Sequence, residues 1–371
     1  MGFSQVAVLA SAQTELRPAW RDAQHIDLIS SVVTNVFKGT GLTIDDVDFV
    51  IDSGSDVLDG RSISNCGFLG ALGAHHKEEA RVEEDGLWGA LYGVNKIRSR
   101  SSSIGLIVAY SKPSESNIDL YWSAMVEPFY QRPVGFGQKA ALGIQAQRYL
   151  AAHGIKDDAL AEIVARRWAD AAVGGKVAMG EAPDAAAVLA GTEAAWPLTD
   201  LMISRPLDGA VAVLIGSEDV ARRTGRPPVF ITGMGTSMET HALAERTANK
   251  LDSVSNATRM ALGKAGWSSG AEADVVELSG SSVVGELMAL EGMGIAAEGH
   301  GADVATSDKV NRSGGALPAD PIMATGLIRL AEAAKKLSAP VAAGANAPSK
   351  AIVHGTGGVA MQTNCVFTLE V

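Results

Sequence analysis

Ala257-Thr258-Arg259-Met260-Ala261-Leu262-Gly263-Lys264-Ala265-Gly266-Trp267, followed shortly by Ala273-Asp274-Val275-Val276-Glu277-Leu278, is the stretch on which the fold turns. Its first part reads as a helix, Gly266 ends that helix, and the β-branched run behind Asp274 reads as a strand. The same unit stands near the start of the chain. An apolar-periodic segment from Ile26 to Phe37 predicts a helix, Gly39 and Gly41 end it, Asp45 and Asp46 form an acidic turn, and Val47 to Ile51 supply a strand. Gly41-Leu42 with Asp48 therefore corresponds to Gly266-Trp267 with Asp274, with one extra residue in the second copy.

The segments behind the two copies also agree. A predicted helix from Gly86 to Ile97 leads into a strand from Ile104 to Tyr110, and one from Ile322 to Leu337 leads into Ala351 to His354. Before the first copy, Val6 to Ala10 is a short apolar strand; before the second, Val211 to Ile215 and Val229 to Gly233 are strands. The pattern is a duplicated α/β half, expected over residues 1–225 and 226–371. Residues 112 to about 205, broken by Pro113, Pro128, Pro133, Pro183 and Pro197, form an inserted helical and loop region, where binding specificity on a rigid core tends to reside.

Bulk properties agree with that architecture. The chain has 371 residues, long enough for two similar cores, and its 41 glycines suit helices packed closely on sheets. A formal charge of −11 argues against a nucleic-acid or anionic-membrane binder, since a phosphate surface calls for a basic face. Arg222, Arg223, Arg226 and Lys250 could meet phosphates locally, but a solvated charged face is the better explanation of them. Cys66 and Cys365 are the only cysteines, so neither a disulfide framework nor a cysteine-based metal site is expected. His75-His76 lacks partners at metal-ligand spacing. No signal sequence or membrane-length apolar run is legible, and a soluble cytoplasmic protein is expected.

Several short pieces then occur in a telling order: Pro197-Leu198, Ser204-Arg205-Pro206-Leu207-Asp208-Gly209-Ala210-Val211-Ala212, Asp274 to Glu277, Asn311-Arg312-Ser313-Gly314-Gly315, Ala324-Thr325-Gly326, and Gly357-Gly358. Together they resemble the thiolase superfamily, in particular the sterol-carrier-protein-type thiolases and their lipid-transfer-protein-like relatives, across nearly the whole chain. The resemblance implies a five-layered α/β/α/β/α body, usually dimeric, with a CoA thioester held between core and loop region as substrate or ligand and no resident cofactor or metal.

Thiolases require a thiolate nucleophile, a base, a second acid/base and donors to the enolate or oxyanion. Counting back from Gly89, Gly93 and Ile97 puts Glu83, within one residue, in the place of the family's nucleophilic cysteine. The histidine of the family's Gly-His-Pro triplet falls on Asp320 of Ala319-Asp320-Pro321. The late cysteine falls on His354 of His354-Gly355-Thr356-Gly357-Gly358. The oxyanion residue after the Val-Glu strand falls on Ser279 or Gly280, with Ser281 beside it. Glu83, Asp320 and His354 are thus the candidate catalytic residues, and Ser279, Ser281, Gly314, Gly315, Gly357 and Gly358 the candidate substrate or oxyanion region. Carboxylates at a helix start are also stabilised by the helix dipole whatever the function.

Two readings fit this pattern. In one, the chain is an acyl-CoA enzyme acting on a carbon–carbon bond next to the thioester, in lipid or steroid acyl-CoA metabolism, without cysteine-based thiolysis; a retro-aldol reaction is the model, although this chain has no tyrosine after Tyr149 where such relatives use one. In the other, it is a non-catalytic subunit that joins a small OB-fold partner or a second thiolase-like chain, or pairs with itself.

Overall fold

The computed structural model describes residues 5–60, 63–225, 227–340 and 346–371. Nine strands carry the architecture: β1 (Val6–Gln13), β2 (Phe49–Ser53), β3 (Glu78–Val82), β4 (Ile104–Ser111), β5 (Gly209–Ser217), β6 (Val229–Met238), β7 (Val275–Leu278), β8 (Lys350–Gly357) and β9 (Thr363–Glu370). The helices that position the site are α1 (His25–Val36), α2 (Asp56–Asp59), α3 (Gly86–Arg98), α4 (Ile118–Met125), α5 (Gln138–His153), α6 (Asp157–Gly174), α7 (Glu218–Arg223), α8 (Asp252–Ala265), α9 (Val283–Gly292) and α10 (Thr325–Leu337).

The strands hydrogen-bond in the order β3-β2-β4-β5-β1-β6-β9-β8-β7. In the first half β2 lies parallel to β4, β4 antiparallel to β5, and β5 antiparallel to β1. The second half repeats this with β7 parallel to β8, β8 antiparallel to β9, and β9 antiparallel to β6. A single bridge from Val276 to Val310 stands where β3 stands beside β2. The halves meet where Ala7 and Val8 of β1 pair with Phe230 and Val229 of β6.

The duplication extends to individual hydrogen bonds. Asp48 Oδ2 accepts from the amides of Ser103 and Ile104 at 2.6 and 3.0 Å, tying the start of β2 to the start of β4. Asp274 Oδ2 does the same for Ser349 and Lys350 at 2.8 and 3.1 Å, at the starts of β7 and β8. Each aspartate follows a one-turn helix closed by a capping box, Thr43 with Asp46 and Ser269 with Glu272. The acidic turn read from sequence is therefore a strand-aligning device made twice.

Three apolar clusters separate the layers. α1 packs Leu28, Ile29, Val32, Val33 and Val36 on one face of the first-half sheet, beside Val220 and Ala221 of α7. α3 and α10 lie between the halves: Leu87, Ala90 and Val94 of α3 share one cluster with Leu327, Leu330 and Ala334 of α10, with Ile51 and Ile107 from the first half, and with Val353 and Phe367 from the second. α8, α9 and the loop-region helices α5 and α6 cover the remaining face. This gives five layers. β4 is buried along all eight residues because helices cover both of its faces, so it reads as an unbroken apolar run. Gly86 is required by the central layer, since a Cβ there would sit 2.6 Å from Ala109 Cβ and 2.7 Å from Leu327 Cβ.

One predicted element is shorter than expected. The helix expected from Ile322 begins at Thr325, because residues 320–324 form a turn in which Ile322 takes φ +28°.

Candidate functional site

The starts of the two central helices are bound to each other. Asp85 caps α3 by accepting from the Leu87 amide through Oδ1 at 2.8 Å, and its Oδ2 accepts from the Gly326 amide in the first turn of α10 at 2.7 Å. The Gly86 amide donates to the Met323 carbonyl at 2.8 Å. Two helix N-termini therefore converge on one carboxylate, where their dipoles favour negative charge. Burial nonetheless raises the proton affinity of Asp85 well above the ordinary carboxylate value, neighbouring Glu84 and Asp320 add to the rise, and the two amides oppose it.

Around this junction lies a cleft lined by Glu84, Asp85, Ser279, Gly280, Ser281 and Asp320, with Ile322, Thr325, Thr356, Gly357, Gly358 and Trp122 completing it. Asp320 is held from two sides: Oδ2 accepts from Ser204 Oγ and Oδ1 from Thr325 Oγ1, both at 2.7 Å. Burial raises its pKa, and those hydroxyls partly offset the rise. Glu84 is also raised by burial. Its Oε1 lies so close to the glycine-rich turn that a Cβ on Gly357 would fall 1.9 Å from it, so any side chain there would displace the carboxylate. Ser279 is buried, and its hydroxyl has no hydrogen-bond partner in the protein. Such a donor is costly unless something else accepts from it.

Of the residues nominated from sequence, Asp320, Ser279, Ser281, Gly357 and Gly358 come together here. The others do not line this cleft. Glu83 is exposed and turned away: it accepts from the Asp56 amide at 2.9 Å and from Arg81 Nε at 2.6 Å, so it anchors α2. Arg81 in turn reaches Asp52, Asp56 and Asp59. His354 is fully buried in β8, its Nε2 2.9 Å from Asn364 Oδ1. Burial depresses its pKa to about 4, so at neutral pH it is an uncharged strut. Asn364 also donates to the Met361 carbonyl at 2.8 Å, so His354 acts on the glycine-rich turn only at second hand. Gly314, at φ +101°, gives room to Ala171 of α6, and Gly315, at φ +68°, to Asn311. Both are turn-forming.

Sequence reasoning passed over Glu84, Asp85, Ser204, Thr325 and Trp122. Glu84 was within the one-residue tolerance of the counted position. Ser204 and Thr325 stood inside quoted motifs but were given no role, and Asp85 and Trp122 had no motif of their own. Tyr121, earlier in the chain than the tyrosines expected of aldolase relatives, is buried against Ile322 and Met323, and its pKa is raised by burial first and by Glu84 next.

The remaining candidates stay outside. Cys66 is exposed on the helix Ser64–Phe68, and Cys365 is buried in β9, where burial pushes its thiol pKa up. A thiol so shifted is a poor nucleophile. Arg222 pairs with Glu218, Lys250 lies 3.9 Å from Asp252, and Arg226 lies outside the described residues. Among the described residues no group of three or more His, Cys, Asp or Glu side chains is placed to hold a metal ion, and no helix is long and apolar enough to cross a membrane.

With the fold and cleft in view, residues 235–369 match the family described as "Thiolase C-terminal domain-like". The whole described architecture superposes on solved thiolase and thiolase-like structures with TM-scores of 0.75 to 0.80. The chain has the thiolase fold.

Among the solved structures that this thiolase-like chain resembles is the Ltp2-ChsH2(DUF35) aldolase, with a TM-score of 0.80 at 16% identity over 98% of this chain and 97% of that one. Human mitochondrial 3-ketoacyl-CoA thiolase gives 0.75 at 16% identity, covering 99% and 98%. A monomeric SCP2-thiolase like protein type 1 from Mycobacterium smegmatis gives 0.75 at 17% identity, covering 98% of this chain and 77% of that one. In sequence, the acetyl-CoA acetyltransferase of Methanothermobacter thermautotrophicus (strain Delta H) is 29% identical over 188 residues, 47% of this chain. The match spans about half of that relative's length, 49%.

Proposed function

We propose that this chain binds an acyl-CoA thioester and makes or breaks the carbon–carbon bond beside it by carboxylate acid–base chemistry, without a covalent acyl-enzyme. The observation that carries the reading is the convergence of Glu84 and Asp320, both with raised proton affinity, on one cleft at the start of α3 that holds no thiol. A carboxyl group whose pKa is shifted toward the working pH exchanges protons far better than an ordinary one.

In the cleavage direction, Glu84 removes the proton from the hydroxyl on the β-carbon of a β-hydroxyacyl thioester. That oxygen's electrons form a carbonyl, the Cα–Cβ bond breaks, and its pair becomes the thioester enolate. The proton taken up by Glu84 then passes by way of Asp320 to Cα, so an aldehyde or ketone and a shortened acyl-CoA leave and both carboxylates return to their starting state. Ser279 Oγ donates to the enolate oxygen; its lack of a hydrogen-bond partner in the protein supports that role. Membership of the aldolase among the structural neighbours supports this direction, and the absence of a reactive thiol from the cleft argues against thiolysis.

The test is incubation of the full chain with a series of β-hydroxyacyl-CoA thioesters, with products identified by mass spectrometry. Release of a carbonyl compound and shortened acyl-CoA is expected, with Glu84→Gln and Asp320→Asn each lowering the rate by about 10²–10⁴. Cleavage of β-ketoacyl-CoA that depends on added free CoA would overturn the reading.

A second reading is favoured by the tightness of the cleft, whose volume of about 20 Å³ admits little more than a water molecule. On this reading the chain is an accessory subunit completed by a small OB-fold partner, a second thiolase-like chain or its own copy. Turnover that appears only on adding such a partner, and survives Glu84→Gln in this chain, would select it.

A further inference from the structure

Beside the cleft lies a groove of about 600 Å³, bounded by α4, the start of α5 and the segment from Ile203 to Pro206. That volume is in the range of small-molecule sites. The two cavities share three residues, Asp320, Ile322 and Trp122. Asp320 thus faces both cavities, whereas Glu84 lines the cleft alone, and a thin partition separates it from the groove.

Its construction is unusual. Ile322 has φ +28°, and a β-branched side chain at positive φ is a true conformational outlier, kept only where the surroundings over-determine it. Those surroundings are visible: Ile322 packs with Leu58, Tyr121 and Met323, and Trp122 closes on the same cluster from α4. Asp320, two residues before, is pinned by Ser204 and Thr325, and Met323, one residue after, accepts from the Gly86 amide. Glycine would satisfy the backbone here without strain. The isoleucine thus adds a wall at conformational expense, and the wall stands between the groove and Glu84.

We propose that Ile322, with Trp122, is the specificity-determining partition of this site, and that it limits the acyl group reaching Glu84 to a short one. This rests on the reading that the cleft takes an acyl thioester. The thioester arm lies in the groove and the acyl end abuts the partition, behind which the cleft has room for little beyond the reacting carbon.

Binding of non-cleavable thioether analogues of CoA bearing two-, four- and eight-carbon acyl mimics, measured by calorimetry on the full chain, tests it. Wild type is expected to prefer the shortest over the longest by about tenfold or more, the discrimination typical of a few methylenes against an apolar wall. Ile322→Gly should reduce that ratio to about threefold or less; it also removes a buried side chain, so its thermal midpoint is expected to fall while the folded protein still binds the analogues. Trp122→Ala should act in the same direction, and Ile322→Val, which keeps the wall, should leave the preference in place. Unchanged preference in both Ile322→Gly and Trp122→Ala, with binding intact, would overturn the partition. Failure of every analogue to bind any of these proteins would overturn both the partition and the acyl-CoA reading. A shifted preference without any retro-aldol turnover would support the partition and remove the catalytic reading alone.

Discussion

Asp85 Oδ2 accepts from the Gly326 amide at 2.7 Å, joining residues 241 positions apart at the starts of the two helices that fill the middle layer. Because Asp85 Oδ1 also caps α3, one carboxylate fixes the relative placement of α3 and α10. Replacing it with alanine removes an N-cap and strands buried amides, which costs about 2–4 kcal/mol. Asp85→Asn keeps a single acceptor oxygen and should lose an intermediate amount. Urea unfolding at neutral pH measures both; an Asp85→Ala midpoint equal to wild type would mean the junction is held by something else.

The buried carboxyls predict an unusual dependence of stability on pH. Asp85, Glu84 and Asp320 all have folded-state pKa values raised by burial. In the interval above the unfolded carboxyl values of about 4 the folded chain then holds more protons than the unfolded chain, so these groups lower stability as pH rises through that interval. Glu84→Gln should therefore be more stable than wild type at neutral pH, with the difference shrinking as pH falls toward 4. Thermal midpoints across pH 4–8 check the sign, and a Glu84→Gln variant less stable than wild type at pH 7 would contradict it.

His354 predicts the opposite slope. Its pKa is depressed by burial from 6.5 to about 4, so below pH 6.5 the unfolded chain takes up a proton that the folded chain refuses. Stability from this group is complete above about pH 6.5 and is lost as pH falls toward 4, a loss on the order of 3 kcal/mol by the shift alone. His354→Gln should flatten that acid limb, seen in denaturation series at stepped pH. Were His354 instead a catalytic base, the substitution would abolish turnover while leaving the limb unchanged.

The duplicated half was legible because it is written in local signals. A helix ended by glycine, an acidic turn and a β-branched strand depend on neighbours a few residues away, so the copy around Gly41 and the copy around Gly266 both read correctly and both proved to end in a strand-aligning aspartate. Loss of the thiol was equally plain, since two cysteines in 371 residues leave few positions to consider.

The identity of the acids in the cleft was not local. Glu83, Glu84 and Asp85 are consecutive at the passage from β3 to α3, where each step along the chain turns the side chain to a different side. Glu83 is drawn to Arg81 and the Asp56 amide, Glu84 to the turn at Gly357, and Asp85 to the amides of Leu87 and Gly326. The contacts with Asp56, Gly357 and Gly326 lie beyond the reach of any sequence window. His354 reads as reactive beside its glycines, yet coverage on both sides of β8 makes it a buried neutral strut.

By itself, then, the sequence determined that this chain folds as two related α/β halves and that it has two cysteines, neither within residues 81–89, because these are properties of periodicity and composition. Only the tertiary structure decided that Glu84, Asp85 and Asp320 share one cleft and that Asp320, Ile322 and Trp122 line both it and the groove, because those relationships arise where segments far apart in sequence close on one another.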